Sequence, residues 1–568
     1  MIPEAVIQEI LEQIKEKKIS NKHELGVLKR EISKKHKLKK MPTDIRLLLS
    51  LPESEIGKLN SVFATKPTRS QSGVSPVAIM TKPSRCPHGK CTFCVGGIKS
   101  PWGDVPQSYT GHEPATMRGI RNNYDSYLQV FNRLQQYVLL NQPLDKIEII
   151  VMGGTFPAEE KAYQDEFIHG VYQALNDFSD LFFDEEGNLQ FLAFKKFFEL
   201  PGELHDTERE ESIHRKLYEI KGKRSLSIEE EQVLNESKKV RCVALCIETK
   251  PDWGFLNHGN VMLEQGCTRV ELGVQSVYDD VLAEVHRGHD AADSKRSIQQ
   301  LRDLGFKINF HYMPGLPLTD RERDIAGMKQ LFTDSGYKPD MIKFYPCMVG
   351  PGTALYYKWK KGEFTPIDTE EAAKRIVPIK NIIPRYCRVQ RIQRDVPTKY
   401  WEDGVGLTNF RQYIHQKFDV NCHCIRCREP KKKDVDFDSV QLNVNEYEAS
   451  SSSEFFISFD DMKNDLILGF ARLRFVHEVL RPEITADSAL LRELHVYGVT
   501  VPLEKDDLEL PDSAVQHKGY GKKLVAEAER IAREAGKTKM VVISGVGVRG
   551  YYRKLGYVRE GPYMVKNL

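Results

Sequence analysis

Cys86-Pro87-His88-Gly89-Lys90-Cys91-Thr92-Phe93-Cys94 decides how this chain is read: three thiols fall within nine residues. Pro87 and Gly89 precede the second thiol, and Gly96 and Gly97 follow the third. Such a run forms a loop, so the sulfurs can converge on one point. Three thiolates are one short of the four that close an ordinary iron–sulfur cluster or a structural zinc site. A [4Fe–4S] cluster held by three thiolates leaves one iron open to a further ligand. The alternative is a zinc knuckle whose fourth ligand lies elsewhere in the chain.

Outward from this loop, residues 75–385 alternate short apolar runs with helix-period stretches. Val77–Met80, Lys146–Met152, Val240–Glu248, Arg269–Val274, Lys307–Met313 and Met341–Tyr345 are predicted strands, with helices over Asp165–Phe178 and Asp293–Leu304. Strand–helix alternation implies parallel βα units, and six such strands suit a partial TIM-type α/β barrel with its chemistry at the strand C-terminal ends. Polar residues recur at those ends: Gly153 and Gly154, Glu248, Gln275, then Arg287 and His311. Lys250 lies in the run after Glu248 and is a candidate catalytic group. Each alone is more often a satisfied structural group. The two-residue last gap and Phe93 resemble the motif of radical S-adenosylmethionine (SAM) enzymes, although the first gap is four residues where that superfamily usually has three. The resemblance implies that SAM chelates the open iron and that these strand-end residues bind SAM.

The whole chain of 568 residues is long enough for several domains. Hydrophobic residues make up 40% and charged ones 29%, which is globular rather than disordered. Net charge is +3, so affinity for a nucleic acid would come from local patches. The 11 cysteines fall mostly into two clusters, which argues for metal ligation in a reducing compartment rather than a disulfide framework. No apolar run is long enough to span a bilayer and no signal-peptide pattern is present, so a cytoplasmic location is expected.

Residues 1–74 read as a basic helical region. Val6, Ile7, Ile10, Leu11 and Ile14 share one face, and Lys34, Lys35, Lys37, Lys39 and Lys40 follow. Such a run is usually a solvated face, and its functional reading is contact with a phosphate backbone. Residues 200–238 are a charged, helix-like surface insertion. Residues 386–437 read as a basic linker with three more thiols, Cys422, Cys424 and Cys427, which a structural zinc fits best, closed by His423, His415 or Cys387. Unligated thiols or a second redox cluster are the alternatives.

Residues 438–568 form a second domain. A polar stretch over 436–450 precedes strands Glu454–Phe459, Asp465–Phe475 and Leu490–Val501. Gln516-His517-Lys518-Gly519-Tyr520-Gly521 then opens an amphipathic helix, Lys522–Ala535. A Gln-x-x-Gly-x-Gly loop at a helix N-terminus presents free N–H groups and a positive dipole end to a pyrophosphate. With Met540–Ser544, Gly545-Val546-Gly547 and Tyr551-Tyr552-Arg553-Lys554-Leu555-Gly556-Tyr557, this order resembles the GNAT acetyltransferase fold, an α+β domain. That resemblance implies acetyl-CoA held by the loop and by Leu494, His495 and Val496. It sets Tyr552 near the thioester sulfur, with Tyr551 beside it.

A radical SAM half joined to a GNAT half resembles the catalytic subunits of Elongator over nearly the whole chain. The carrying stretches are Ser108-Tyr109-Thr110-Gly111, Val151–Phe156, Gly273–Tyr278, Arg492–Gly498 and Ile543–Gly547. The compact cysteine gap is similar to archaeal or bacterial members, which work without the other Elongator subunits. The resemblance implies carboxymethylation of wobble uridine 34 at C5 in the anticodon stem–loop of tRNA. A 5′-deoxyadenosyl radical would take hydrogen from the acetyl methyl, and the carbon radical would add to C5, which is too weak a nucleophile to attack a thioester. An external electron donor is implied. Two other classes stay open: a lysine acetyltransferase with a merely structural cluster, and a non-catalytic tRNA-binding scaffold.

Overall fold

Buried strands in this chain have helices on their flanks, and such strands pair in parallel. In the computed structural model, which describes residues 2–51, 60–63, 73–202, 206–394, 396–431, 433–497 and 519–568, they build one seven-stranded sheet in the order β1-β4-β5-β6-β7-β8-β9. Its members are β1 (Ser75–Met80), β4 (Lys146–Met152), β5 (Arg241–Thr249), β6 (Arg269–Gln275), β7 (Lys307–Tyr312), β8 (Met341–Phe344) and β9 (Arg388–Ile392). A hairpin, β2 (Gly97–Ser100) and β3 (Gly103–Val105), follows the cysteine loop. Every pairing in the large sheet is parallel. Strands β1 and β9 are the two edges, so the barrel is open between them.

The seventh strand corrects the sequence reading. Arg388–Ile392 was assigned to the basic linker, yet it pairs with β8 in the barrel sheet. Its sequence, Arg-Val-Gln-Arg-Ile, buries only Val389 and Ile392, and the charges hid a half-buried edge strand.

A second sheet, in the order β10-β11-β12-β13-β14-β16-β15, follows: β10 (Val440–Ala449), β11 (Ser452–Asp461), β12 (Leu466–Phe475), β13 (Ser488–Val496), β14 (Lys539–Val542), β15 (Val558–Glu560) and β16 (Tyr563–Asn567). The stretch read as polar connection is β10, turned back onto β11 by Ser450 and Ser451, both at positive φ (47° and 61°). Positive φ at both central residues matches a hairpin turn to the twist of its strands.

The two halves share one apolar core, in which Phe310 and Ile342 join Phe470, Leu490 and Val541. Buried ion pairs cross the same junction. Asp340 accepts from both terminal nitrogens of Arg492 (2.9 and 2.8 Å), and Asp303 accepts from Arg474 (2.8 Å). The insertion at 200–238 is not a mere surface addition. Its helix Ile228–Asn235 has a capping box and buries Glu231, Gln232 and Asn235.

Candidate active site

The cysteine loop turns where its sequence says it should: Gly89 (φ 89°), Gly96 (71°) and Gly97 (93°) take conformations that L side chains rarely adopt. Gly96 has a second reason, because a Cβ there would meet the Tyr109 carbonyl oxygen at 2.1 Å. Cys86 Sγ accepts from the Thr155 hydroxyl (3.4 Å), Cys91 Sγ lies 3.2 Å from His88 Nε2 and 3.6 Å from Arg287 Nη1, and Cys94 Sγ lies 3.4 Å from Ser108 Oγ. Burial pushes the Cys94 thiol up to about 11, with Cys91 adding to the shift. Burial also holds His88 at about 3, so it faces Cys91 as a neutral imidazole.

Among the described residues, three-ligand groups within 4.8 Å of one another are Cys422/Cys424/Cys427 and Glu248/Glu271/His311, whereas Cys86, Cys91 and Cys94 form no such tight set. Tetrahedral zinc at about 2.3 Å from each sulfur needs the tighter spacing. A looser ring of three sulfurs, Cys91 and Cys94 buried and Cys86 half-buried, fits a multi-iron cluster.

Parallel register brings the strand-end residues together. Glu248 faces Glu271 across β5–β6, and His311 faces Lys343 across β7–β8. The Glu271 carboxylate accepts from His311 Nε2 (2.8 Å) and from Lys343, while Glu248 accepts from the Tyr109 hydroxyl (3.1 Å) and Lys343 (3.5 Å). Burial alone would raise Glu271; Lys343, His311 and Arg269 outweigh it and hold the carboxyl well below its ordinary range. Glu271, Lys343 and Tyr109 were missed from sequence. A charged residue inside an apolar strand, as in Arg-Val-Glu271-Leu, was the available signal, since a buried charge needs a partner.

Other candidates ring this lumen. Gln275 ends β6 at φ 65°, with a buried Oε1 that has no partner among the described residues. Arg287 donates to the Gly273 carbonyl (2.8 Å) as well as to Cys91, tying the cysteine loop to β6. Lys250 is buried beside this arginine, pairs with Asp252 (3.1 Å), and stands on the cysteine side of the site. Gly153 (φ 112°) and Gly154 (57°) close β4. A Cβ on Gly153 would strike Thr81 Oγ1 at 2.5 Å, whereas one on Gly154 would have, among the described residues, only Ser84 within 4 Å. The second glycine therefore leaves open space over the strand end.

In the other half, β13 and β14 pair only from Ser488↔Lys539 to Leu491↔Val542. Leu494, His495 and Val496 continue against β12 alone, so the two parallel strands part there. His495 is half-buried, stacks on Phe470 (5.7 Å), and is held neutral by desolvation at about 3. Gly519 (φ 71°) caps the helix Tyr520–Glu534, whose first turn carries Tyr520 and Gly521; Gln516, His517 and Lys518 lie outside the described residues. A Cβ on Gly521 would come within 2.9 Å of the Tyr551 hydroxyl. Tyr552 lies deeper, edge-on to Tyr551 (5.4 Å) and Tyr557 (5.7 Å), and burial raises its hydroxyl above the usual range. A Cβ at Gly545 would lie 1.9 Å from the Val243 carbonyl oxygen, so this turn is where the second domain presses on β5.

Cys422, Cys424 and Cys427 do bring their sulfurs together. His423 faces away, its Nδ1 2.7 Å from Asp465, so as placed it is no fourth ligand. Cys387 is buried next to Cys424, and His415 lines the same hollow as Cys427. In the N-terminal region, Lys34, Lys35, Lys37, Lys39 and Lys40 are all exposed, but Lys35 is paired with Glu9 (2.7 Å).

Similarity to known proteins follows this geometry. The ELP3 N-terminal domain matches residues 4–71, the Radical SAM superfamily 201–327, the Radical_SAM C-terminal domain 339–419, and the Acetyltransferase (GNAT) family 420–557. The chain is 42% identical to a tRNA uridine(34) acetyltransferase of Methanocaldococcus jannaschii, over 99% of this chain and 97% of that protein. It is 36% identical to Elongator complex protein 3 of Danio rerio, over 99% and 96%. An N-terminally truncated archaeal Elp3 structure from Methanocaldococcus infernus aligns with TM-score 0.70 and 39% identity, over 87% of this chain and 99% of that one.

Proposed function

Because this chain belongs to the Elongator complex protein 3 (Elp3) family, we propose that it is an enzyme modifying wobble uridine 34 of tRNA at C5, using SAM and acetyl-CoA to install a carboxymethyl group. The observation that carries the reading is Arg287, which bonds both Cys91 Sγ and the Gly273 carbonyl and so joins the cysteine loop to the ring of strand-end polar groups.

When bound, cluster and SAM supply a carbon-centred radical, and acetyl-CoA supplies the two-carbon unit. Cys86, Cys91 and Cys94 hold the cluster, and Arg287 and Lys250 place positive charge beside it. Gly153, Gly154, Glu248, Gln275 and His311 take SAM. Lys343, itself bonded to Glu271, orients Glu248. In the second domain the parted strands at Leu494–Val496 and the helix opened by Gly519 hold acetyl-CoA by backbone groups. Cys422, Cys424 and Cys427 hold a structural zinc, with Cys387 or His415 as the remaining protein ligand. The electron comes from an external donor, and the chain acts without other Elongator subunits.

The test uses this chain alone with tRNA, SAM, a reductant and acetyl-CoA, followed by nucleoside analysis. Carboxymethyluridine at position 34 supports the reading. Acetyl-lysine on protein with unchanged tRNA would replace it by a lysine acetyltransferase, and RNA binding with no product by a scaffold. Anaerobic reconstitution should load about four irons per chain, and replacing the three cysteines by Ala should abolish that loading.

A further inference from the structure

The open side of the barrel lies between edge strands β1 and β9. The loops that leave these two strands meet at its rim. The hairpin after the cysteine loop contributes Trp102, the segment after it His112, and the turn after β9 Tyr400. The His112 and Tyr400 rings are parallel, 10° apart with centroids at 4.1 Å. Trp102 meets both edge-on, at 5.8 Å (84°) and 5.7 Å (86°). Lys399 Nζ lies 4.8 Å from the Tyr400 centroid. Tyr400 is thus occupied by His112 and a cation, while His112 is exposed. The Trp102 indole N–H is buried with no partner among the described residues.

The stack is wired to the site. Arg394, at the start of the same turn, donates to the Ser108 carbonyl (3.0 Å), and Ser108 touches Cys94. The Arg394 guanidinium lies 5.9 Å from the Tyr345 ring centroid and 5.7 Å from that of Trp401, and Tyr345 packs edge-on to His311 in the lumen (5.3 Å). His112 lies four positions after Ser108, a reach of at most about 14 Å.

We propose that the His112–Tyr400–Trp102 stack is a base-stacking subsite that takes an unpaired nucleobase flanking the one being modified. This rests on the function proposed above. A preassembled aromatic stack at the open edge of a deep site suits a single-stranded loop whose bases must be splayed before one can enter. Charge does not make it a phosphate site: Lys99, Arg394 and Lys399 share these segments with Asp104, Glu402 and Asp403. Recognition here is by stacking, which is tolerant of base identity.

The experiment measures binding of an anticodon stem–loop RNA to the full chain at several salt concentrations. His112→Ala and Tyr400→Ala should each weaken binding roughly 5- to 150-fold, the range of one lost base stack. Their salt dependence should match wild type, and His112→Phe and Tyr400→Phe, which keep a ring, should bind nearly normally. Equal thermal midpoints show that the variants fold. Wild-type binding in both Ala variants, or a loss that also flattens the salt dependence, overturns the subsite while leaving the reaction intact. If the wild-type chain neither binds the stem–loop nor alters tRNA, the functional reading falls, and the subsite with it.

Discussion

At the scale of single residues, the two tyrosines of the second domain divide by position. The Tyr551 hydroxyl sits over Gly521, at the N-terminal, positive end of the helix Tyr520–Glu534. Under the proposed function, that position is the pyrophosphate end of acetyl-CoA. Tyr552 is the deeper ring, and burial raises its hydroxyl above the usual range, so at neutral pH it carries a proton that is available to a departing thiolate. Tyr552→Phe should therefore lower tRNA-dependent acetyl-CoA hydrolysis roughly 10²- to 10⁴-fold, the usual contribution of general acid catalysis. Reductive SAM cleavage without acetyl-CoA should stay near wild type. Tyr551→Phe should mainly raise the KM for acetyl-CoA. If both variants hydrolyse at the wild-type rate, neither tyrosine is an acid and this half only delivers acetyl-CoA. The cysteine spacing, the glycines and the strand-end Glu248 and His311 were legible because each breaks a local pattern. Lys343 was not, since one lysine in Met-Ile-Lys-Phe-Tyr reads equally well as a solvent-facing strand residue until the register turns it onto Glu271.

Secondary-structure elements were legible where their hydrophobic period was strong and illegible where one face stayed wet. Strand β10 shows the failure: its burial is largely exposed along its length, so nothing apolar announced it. The insertion was legible as helix but not as an interface. Glu236, just past the helix Ile228–Asn235, accepts from Arg549 (3.1 Å) and Arg553 (2.5 Å), both on the helix Arg549–Lys554 that carries the two tyrosines. Arg559 reaches Glu229 in the same way (2.9 Å). Glu236→Ala should loosen the tyrosine helix and lower acetyl-CoA hydrolysis several-fold, with Glu236→Gln milder because its amide oxygen still accepts. SAM cleavage is the control, and a loss of both activities together would mean general unfolding instead. The basic run belongs to this scale too. Lys34, Lys37, Lys39 and Lys40 are exposed around the end of the helix Lys22–Lys35. Reversing their charge should weaken tRNA binding and flatten its salt dependence by up to about one unit of slope per lost phosphate contact. An unchanged slope would make the run a solvated face.

On the scale of the whole molecule, the two halves are held in one geometry by buried charge as well as by apolar packing. Strand β13 joins the roles: Arg492 and Glu493 reach into the first domain, and the next residues, Leu494–Val496, are those that part from β14. Glu493 accepts from Arg472 Nε (2.8 Å) and is paired with Lys307. Burial works to raise its carboxyl, but Lys307 and Arg472 win and bring it from the ordinary 4.5 down to about 2. Lys307 is itself lowered by burial, so the stabilising share is counted on the carboxylate alone. A depressed folded-state pKa gives stability that is complete above the unfolded value and is lost as pH falls through the folded one. Here that window runs from about 4.5 to about 2, and the shift corresponds to roughly 3 kcal/mol. Glu493→Gln, which leaves Lys307 and Arg472 buried without their anion, should unfold at a lower temperature than wild type at neutral pH. The gap between the two thermal midpoints should then narrow steadily as pH drops below about 4.5, because wild type loses a charge the variant never had. A gap that stays constant from neutral pH to pH 3 would show that this pair does not hold the junction. Since the same strand leads into the acetyl-CoA side, the variant should also hydrolyse acetyl-CoA more slowly at neutral pH while still loading iron.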